Sequence, residues 1–150
     1  MNAERRVLIT PDALRTIVAR ARRDDPHETC GLLVGRGGHI LEAVEAANAS
    51  ADPTRRYEIS PVDYFSQIKR CRRISEQSGE WFAVLGAYHS HPRSAPEPSP
   101  TDLEQAFEDF VYVIVGPARG GGGMEARAYV LKDGNLLQLP LVAEAEEADP

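Results

Sequence analysis

The most informative part of the sequence is Tyr88-His-Ser-His-Pro-Arg-Ser-Ala-Pro-Glu-Pro-Ser-Pro-Thr-Asp102. An apolar run from Trp81 to Tyr88 leads into it and predicts a central, buried strand with Trp81 and Tyr88 as core aromatic residues. Prolines at positions 92, 96, 98 and 100 predict that a stiff, extended loop follows this strand. Polar side chains at the end of a buried strand stand where active sites commonly lie.

Two histidines, His89 and His91, are separated by one residue in this segment. If the extended conformation continues through them, both imidazoles point to the same side of the strand and Ser90 points away. Imidazole nitrogen is a preferred zinc ligand, and a catalytic zinc site typically has three protein ligands and a water molecule. A single His-x-His pair occurs by chance in many sequences, so on its own it is weak evidence for a metal site.

The end of the proline-rich loop has two interpretations. Ser99-Pro-Thr-Asp102 fits a capping box, with Ser99 as the N-cap and Asp102 at the third position of a helix predicted over 101–108. The carboxylate of Asp102, at the end of this loop, could also supply a third metal ligand. The pattern alone favours the cap, and the two interpretations are compatible.

The rest of the chain predicts helices alternating with mostly buried strands. Thr10-Pro11 and Ser60-Pro61 each place an N-cap before a proline, which predicts helices that end before Asp24 and at about Ser78. Further strands are predicted at 7–9, 31–35, 40–46, 57–59, 111–115, 124–131 and 136–141. This order indicates an α/β (α+β) chain with one sheet covered by helices on both faces.

Composition narrows the function. The chain has 150 residues and a formal net charge of −6, which argues against nucleic acid as a partner because phosphate binding needs a concentrated basic surface. No stretch approaches the ~20 apolar residues of a membrane span, and no secretory signal is expected. Cys30 and Cys71 occur in unrelated contexts, so we expect free thiols and a cytoplasmic location.

Other candidate residues are less informative by pattern. Glu28 lies where a loop enters a strand, and nothing in its surroundings distinguishes it from a surface glutamate. His27 and His39 are expected on the surface or in a hairpin, and Cys30 as a small buried side chain rather than a metal ligand. The segment 55–57, Arg-Arg-Tyr, is interpreted as surface, with a substrate groove as the open alternative.

Taken together, His-Ser-His-Pro, six residues and Ser-Pro-Thr-Asp, with Glu-Thr-Cys-Gly-Leu-Leu-Val-Gly upstream, resemble the JAMM motif of MPN-plus (JAB-domain) metalloproteases. The resemblance implies an α-β-α sandwich with a mixed central sheet, similar to the fold of cytidine deaminases. It also implies one Zn²⁺ per chain, held by His89, His91 and Asp102. Glu28 would be the general base, and Ser99 a hydrogen-bond donor in catalysis.

The resemblance extends over a single domain, expected at 1–142, followed by an acidic tail at 143–150 that we expect to be disordered. Eukaryotic relatives carry an insertion after the motif helix, whereas here Phe110 begins an apolar run soon after it, as in the compact prokaryotic branch. That branch implies hydrolysis of a peptide or isopeptide bond at the Gly-Gly tail of a ubiquitin-like or sulfur carrier protein. Exposed sheet edges are compatible with a homodimer.

Two other functions compete with this hypothesis. A non-catalytic scaffold of the same fold would lack ligand residues, whereas all five expected positions are filled here. A zinc deaminase would need His-x-Glu with Pro-Cys-x-x-Cys, and this sequence has no Cys-x-x-Cys. The hydrolase is therefore the favoured interpretation.

Overall fold

The structure is a computed structural model that describes residues 5–146. In chain order its elements are β1 (Val7–Ile9), α1 (Pro11–Asp24), β2 (Cys30–Arg36), β3 (His39–Ala46), α2 (Pro61–Ser78), β4 (Ala83–Ser90), α3 (Pro100–Glu104), β5 (Val111–Pro117), β6 (Met124–Lys132), β7 (Asn135–Leu139) and β8 (Leu141–Ala143). Among these residues no helix is long and apolar enough to cross a membrane.

The strands form one eight-stranded sheet in the order β7-β6-β5-β4-β2-β3-β1-β8. Three pairs are parallel, namely β1 with β3, β1 with β8, and β4 with β5. The other pairs are antiparallel. The sheet is therefore mixed, as predicted, and β4 lies near its centre between β2 and β5.

The two long helices cover opposite faces of this sheet. Leu33 on β2 packs in a core cluster with Ile17 of α1, whereas its neighbour Val34 packs with Cys71 of α2. Because successive side chains of a strand point to opposite faces, the two clusters lie on opposite sides. The predicted sandwich is confirmed.

Helix starts were predicted well. Thr10 is the N-cap of α1, and its hydroxyl accepts a hydrogen bond from the Ala13 amide at 3.2 Å. Pro61 begins α2, and Gly79 ends it in the left-handed conformation with φ of 75°. Ser60, by contrast, makes no side-chain capping bond.

The prediction that Trp81 is a core aromatic residue was wrong. Its side chain is 78% exposed, whereas Tyr88 is fully buried as predicted. The hydroxyl of Ser75 accepts from the Phe82 amide and donates to the Phe82 carbonyl. These bonds turn the chain so that Phe82 enters the core, and the strand begins only at Ala83.

One predicted strand is absent from the structure, and one predicted helix is shorter. The segment 57–59 forms no strand, since only one isolated bridge links Asn48 and Ile59. The helix predicted over 101–108 ends at Glu104, because the Phe107 amide donates to the hydroxyl of Tyr112 at 2.7 Å instead of extending the helix.

The start of the expected tail is held in place. Ala143 belongs to β8, the Glu144 amide donates to the Ile9 carbonyl at 2.8 Å, and Glu146 pairs with Arg36 at 2.8 Å. These residues therefore contact the rest of the domain, and the boundary expected at 142 stays a prediction. Residues 147–150, also assigned to the tail, lie outside the described residues.

Candidate active site

The end of β4 carries the two histidines. His89 lies opposite Cys30 on β2 and Ile114 on β5, and the His91 amide donates to the Val115 carbonyl at 2.7 Å. The Nε2 atoms of His89 and His91 are 3.2 Å apart. The extended backbone therefore points both imidazoles the same way, as the spacing predicted.

The residue between them points away, also as predicted. The hydroxyl of Ser90 accepts a hydrogen bond from the Thr29 amide at 2.9 Å, and the Ser90 amide donates to the Thr29 carbonyl at 3.1 Å. Because Thr29 directly follows Glu28, these bonds fix the backbone that presents the glutamate.

Asp102 satisfies both of its interpretations. Its amide donates to the Ser99 hydroxyl at 3.1 Å, while its Oδ2 accepts from the Ser99 amide at 2.9 Å, which completes a capping box. Its Oδ1 also lies 3.2 Å from Nε2 of His89, and its Oδ2 lies 3.2 Å from Nε2 of His91. The capping box thus orients the carboxylate toward the histidines.

The separations fit a tetrahedral metal ion. Zinc bonds of about 2.0–2.1 Å place tetrahedral ligand atoms about 3.3 Å apart. The two Nε2 atoms are 3.2 Å apart, and each lies 3.2 Å from one oxygen of Asp102, His89 from Oδ1 and His91 from Oδ2. Nδ1 of His91 lies 3.1 Å from the Ala95 carbonyl, a bond that puts the proton on Nδ1 and leaves the Nε2 lone pair for a metal. Two nitrogens and one carboxylate are donors that suit zinc.

His89 is held by a different kind of contact. Its Nδ1 is buried and has no hydrogen-bond partner among residues 5–146. The ring of Tyr57 stacks on the imidazole instead, with centroids 4.1 Å apart and planes inclined by 16°. The aromatic face therefore supplies the orientation that a carbonyl supplies to His91.

The electrostatics of the three groups depend on burial and mutual attraction. Burial lowers the pKa of His89, and the hydrogen bond that His89 donates to Asp102 only partly offsets this effect. For His91 burial also lowers the pKa, but the hydrogen bonds to Asp102 and to the Ala95 carbonyl and the nearby charges of Asp102 and Glu28 together outweigh it, so the pKa is raised. Burial disfavours ionisation of Asp102, yet bonds from both histidines hold its pKa well below the usual range. The result is an ionised carboxylate facing two imidazoles.

Glu28 lies beside this cluster and is only 7% exposed. Its carboxylate and the ring nitrogens of His89 and His91 offer donor atoms that all lie within 4.8 Å of one another. Burial raises the pKa of Glu28 to about 7, which is near the optimum for a group that transfers protons at neutral pH. The local sequence gave no signal for this burial, because it arises from distant segments that pack around the loop.

A cavity of about 230 Å³ opens beside the cluster, and we call it the polar cavity. Glu28, His91, Ser99 and Asp102 line it. The remaining lining includes Arg55, Arg56, Tyr57 and Arg93. The segment 55–57 therefore borders a cavity, and the alternative that it lines a substrate groove stays a prediction.

The sequence pattern did not predict one structural residue of the site. The side-chain amide of Asn48 donates to the Glu28 carbonyl at 3.2 Å and to the Arg56 carbonyl at 3.0 Å, while its oxygen accepts from the amides of Ser50 and Glu58. Asparagine is common in polar loops, and the spacing between Asn48 and Glu28 in the sequence does not predict a contact between them.

The remaining candidates take no part in the cluster. Burial raises the pKa of Cys30 to about 12, and its thiol lies 3.6 Å from the Ala46 carbonyl. His39 contacts the Glu144 carbonyl through Nε2 at 2.7 Å, and His27 is exposed. Cys30 and Cys71 are both free, as expected.

Comparison with known proteins gives consistent matches. Residues 10–131 match the family described as prokaryotic homologs of the JAB domain. The desampylase of Haloferax volcanii is 33% identical over 119 residues, which cover 75% of this chain and 81% of that protein. The CysO-cysteine peptidase of Mycobacterium tuberculosis is 31% identical over 137 residues, which cover 90% of this chain and 89% of that protein.

A solved structure agrees with these sequence matches. A JAB1/MPN domain protein from Archaeoglobus fulgidus has a TM-score of 0.54 at 21% identity, covering 91% of this chain and 98% of that protein. At this identity the likeness concerns the fold. The family match spans most of the chain, including the segments of Glu28 and Asp102. The chain therefore belongs to the family of prokaryotic homologs of the JAB domain.

Proposed function

We propose that this protein is a zinc-dependent peptidase or isopeptidase in which His89, His91 and Asp102 hold the metal and Glu28 is the general base. One observation carries the proposal: the Nε2 atoms of His89 and His91 lie 3.2 Å apart, and each lies 3.2 Å from one oxygen of the Asp102 carboxylate, beside the buried Glu28. That separation matches the spacing of ligands around tetrahedral zinc. The named peptidase and desampylase among its relatives support the same class of reaction.

A bound zinc ion would supply Lewis-acid chemistry, which polarises the scissile carbonyl and makes water more acidic. Glu28 takes a proton from the attacking water and delivers it to the leaving amine. The water oxygen bonds to the carbonyl carbon, the C–N bond breaks, and the products are a carboxylate and an amine. Burial that raises the pKa of Glu28 to about 7 favours both proton transfers.

Ser99 stabilises the negative charge that develops on the carbonyl oxygen. Its oxygen already accepts a hydrogen bond from the Asp102 amide, but a hydroxyl can accept and donate at once, so its proton stays available. The capping box holds Ser99 and Asp102 to each other. The same local structure therefore positions a metal ligand and an oxyanion donor.

The proposed substrate is a ubiquitin-like or sulfur carrier protein, cut after its C-terminal Gly-Gly. Relatives named for a CysO-cysteine conjugate and for removal of a protein modifier support this class. Only residues 105–110 connect α3 to β5, so no clamping insertion follows the motif helix. We expect the enzyme to act in the cytoplasm.

The test is the zinc content of the purified full-length chain beside its activity on a carrier protein fused through Gly-Gly. His89→Ala, His91→Ala and Asp102→Ala should each lose stoichiometric zinc and activity. Glu28→Gln should keep its zinc and lose activity, because the amide preserves the shape of the side chain but accepts no proton.

Each outcome decides between specific roles. If Glu28→Gln loses zinc while Asp102→Ala keeps it, Glu28 is the third ligand and the assignment of the two carboxylates is wrong. If the wild type neither contains nor takes up zinc, the catalytic proposal fails and the alternative, a non-catalytic scaffold, replaces it.

A further inference from the structure

The polar cavity carries positive charge that the proposed reaction does not use. Arg55, Arg56 and Arg93 line it, together with the carboxylates of Glu28 and Asp102. All three arginines are exposed, on a chain whose formal net charge is −6. In the proposed function one carboxylate binds metal and the other transfers protons. Three arginines therefore line the same cavity as the reacting groups.

These arginines are only weakly engaged by the protein. Arg55 lies 4.0 Å from Asp52, and Arg93 lies 3.6 Å from Asp25, and in each pair both side chains are exposed. Exposed ion pairs contribute little, because water screens them. The side chain of Arg56 has no ion pair or hydrogen bond with any residue in the described range 5–146. A substrate anion can therefore replace these contacts at small cost.

The loop that carries Arg55 and Arg56 is hydrogen-bonded to the segment of Glu28, the proposed general base. The Glu28 amide donates to the Pro53 carbonyl at 2.7 Å, and Asn48 donates to the carbonyls of both Glu28 and Arg56. Because Glu28 delivers the proton to the leaving amine, that amine must come within hydrogen-bond reach of its carboxylate. The groups beyond the amine then enter the part of the cavity that the arginines border.

We propose that the polar cavity is the leaving-group site and that Arg55, Arg56 and Arg93 recognise a free α-carboxylate in it. The enzyme would therefore release a single C-terminal amino acid from the carrier tail in preference to a lysine of a second protein. This inference rests on the proposed function. An amino acid that leaves through its α-amine bears a carboxylate next to that amine, whereas a lysine that leaves through Nζ bears none.

The shape and chemistry of the site fit this ligand. A volume of about 230 Å³ is below the ~300–1,000 Å³ of most small-molecule sites and suits one residue. Guanidinium groups bind carboxylates through paired, charge-assisted hydrogen bonds. The arginines are thus specificity residues, and the reaction itself remains the hydrolysis described above.

The test compares two substrates that differ only in the leaving group. A recombinant ubiquitin-like carrier protein ending in Gly-Gly is extended by one alanine, either as the free acid or as the amide. The zinc-loaded wild type should cut the acid about tenfold faster or more, mainly through a lower KM, as expected for loss of a charge-assisted hydrogen bond in the amide. The double variant Arg55→Gln/Arg56→Gln should lose this preference.

A matched control and a second readout separate recognition from structure. Arg73 is exposed on α2 and does not line the polar cavity, so Arg73→Gln should keep the preference. Binding of both substrates to Glu28→Gln, measured by calorimetry, should show the same tenfold preference without turnover. Adding Arg55→Gln/Arg56→Gln to Glu28→Gln should abolish it.

The outcomes distinguish this inference from the function on which it rests. If the wild type cuts acid and amide equally, or if the double variant slows both and keeps the preference, the carboxylate inference is overturned and the hydrolase stands. If the wild type cuts neither, the proposed function fails. In that case equal binding of acid and amide to Glu28→Gln overturns the inference as well, whereas preferential binding of the acid supports it.

Discussion

The candidate site has two halves that are held in different ways. The strand half consists of His89 and His91, at the end of β4, which lies between β2 and β5. Both side chains are almost completely buried. The loop half, Ser99 and Asp102, lies on a proline-rich loop and the five-residue helix α3. The sheet fixes the strand half through many backbone bonds, whereas single side-chain contacts fix the loop half. Substitutions in the loop half should therefore reduce activity more than stability.

The largest effect is expected in the loop half, for Ser99→Ala. Losing one oxyanion donor lowers kcat by about 10²–10³-fold, while losing the N-cap costs only about 1 kcal/mol of folding free energy. Steady-state kinetics and urea unfolding measure the two effects separately. Ser99→Thr keeps a hydroxyl that can cap and donate, so it should retain most of the activity. Equal losses in the alanine and threonine variants would mean that the hydroxyl donates to nothing in the reaction.

A smaller effect is expected for Gly116→Ala, which displaces the loop half from the sheet. A Cβ at Gly116 would lie 2.4 Å from the Ser94 carbonyl oxygen, so the loop must move. A shift of about 1 Å at a catalytic group can cost ~10²-fold in rate, and the strain should cost about 1–3 kcal/mol of stability. Measurement of kcat/KM beside urea unfolding tests this.

Gly35→Ala is the matched control for that prediction. Its Cβ would lie 2.0 Å from the His39 carbonyl oxygen, at the far end of β2 from the site. It should lose stability with little change in kcat/KM of the folded protein. If both glycine variants lose activity to the same extent, the loop half is not positioned by the contact with Gly116.

The strand half should show the reverse pattern, and Ser90→Ala tests it. The hydroxyl of Ser90 is the partner of the buried Thr29 amide at 2.9 Å, and leaving a buried amide unpaired costs about 1–3 kcal/mol. Zinc content should not change, because the ladder of β4 with β5 still orients both histidines. Loss of zinc in this variant would contradict the view that the backbone ladder of the sheet holds the strand half in place.

The same contrast explains what the sequence could predict. Alternation along a strand predicted the orientation of His89, Ser90 and His91, since it is a property of local backbone geometry. The capping box at Ser99 and Asp102 was predicted from a local pattern too. Contacts between distant segments were not predictable, such as the stacking of Tyr57 on His89.

Burial was the other source of error. Trp81 and Tyr88 stand at the two ends of the same apolar run. Hydrogen bonds between the Ser75 hydroxyl and the backbone of Phe82 turn the chain before the strand begins, so that only Tyr88 is buried. Glu28 is buried, although its local sequence pattern is that of a surface glutamate. Only the resemblance to the family motif predicted a role for Glu28 in the site; the local sequence pattern did not.

The smallest effect is expected for Tyr129→Phe, which removes one contact that holds the loop half. The hydroxyl of Tyr129 donates to the Pro96 carbonyl at 2.7 Å inside the protein. Losing this bond should cost about 1 kcal/mol of stability and lower kcat/KM about fivefold, the factor that corresponds to the same free energy. Tyr112→Phe is the matched control, because it removes a hydroxyl of the same sheet that accepts from the Phe107 amide at 2.7 Å, outside the loop half. If the two variants lose equal stability but only Tyr129→Phe loses activity, Tyr129 positions the loop half. If kcat/KM is unchanged in both variants, the proline rings and the capping box suffice to hold the loop half.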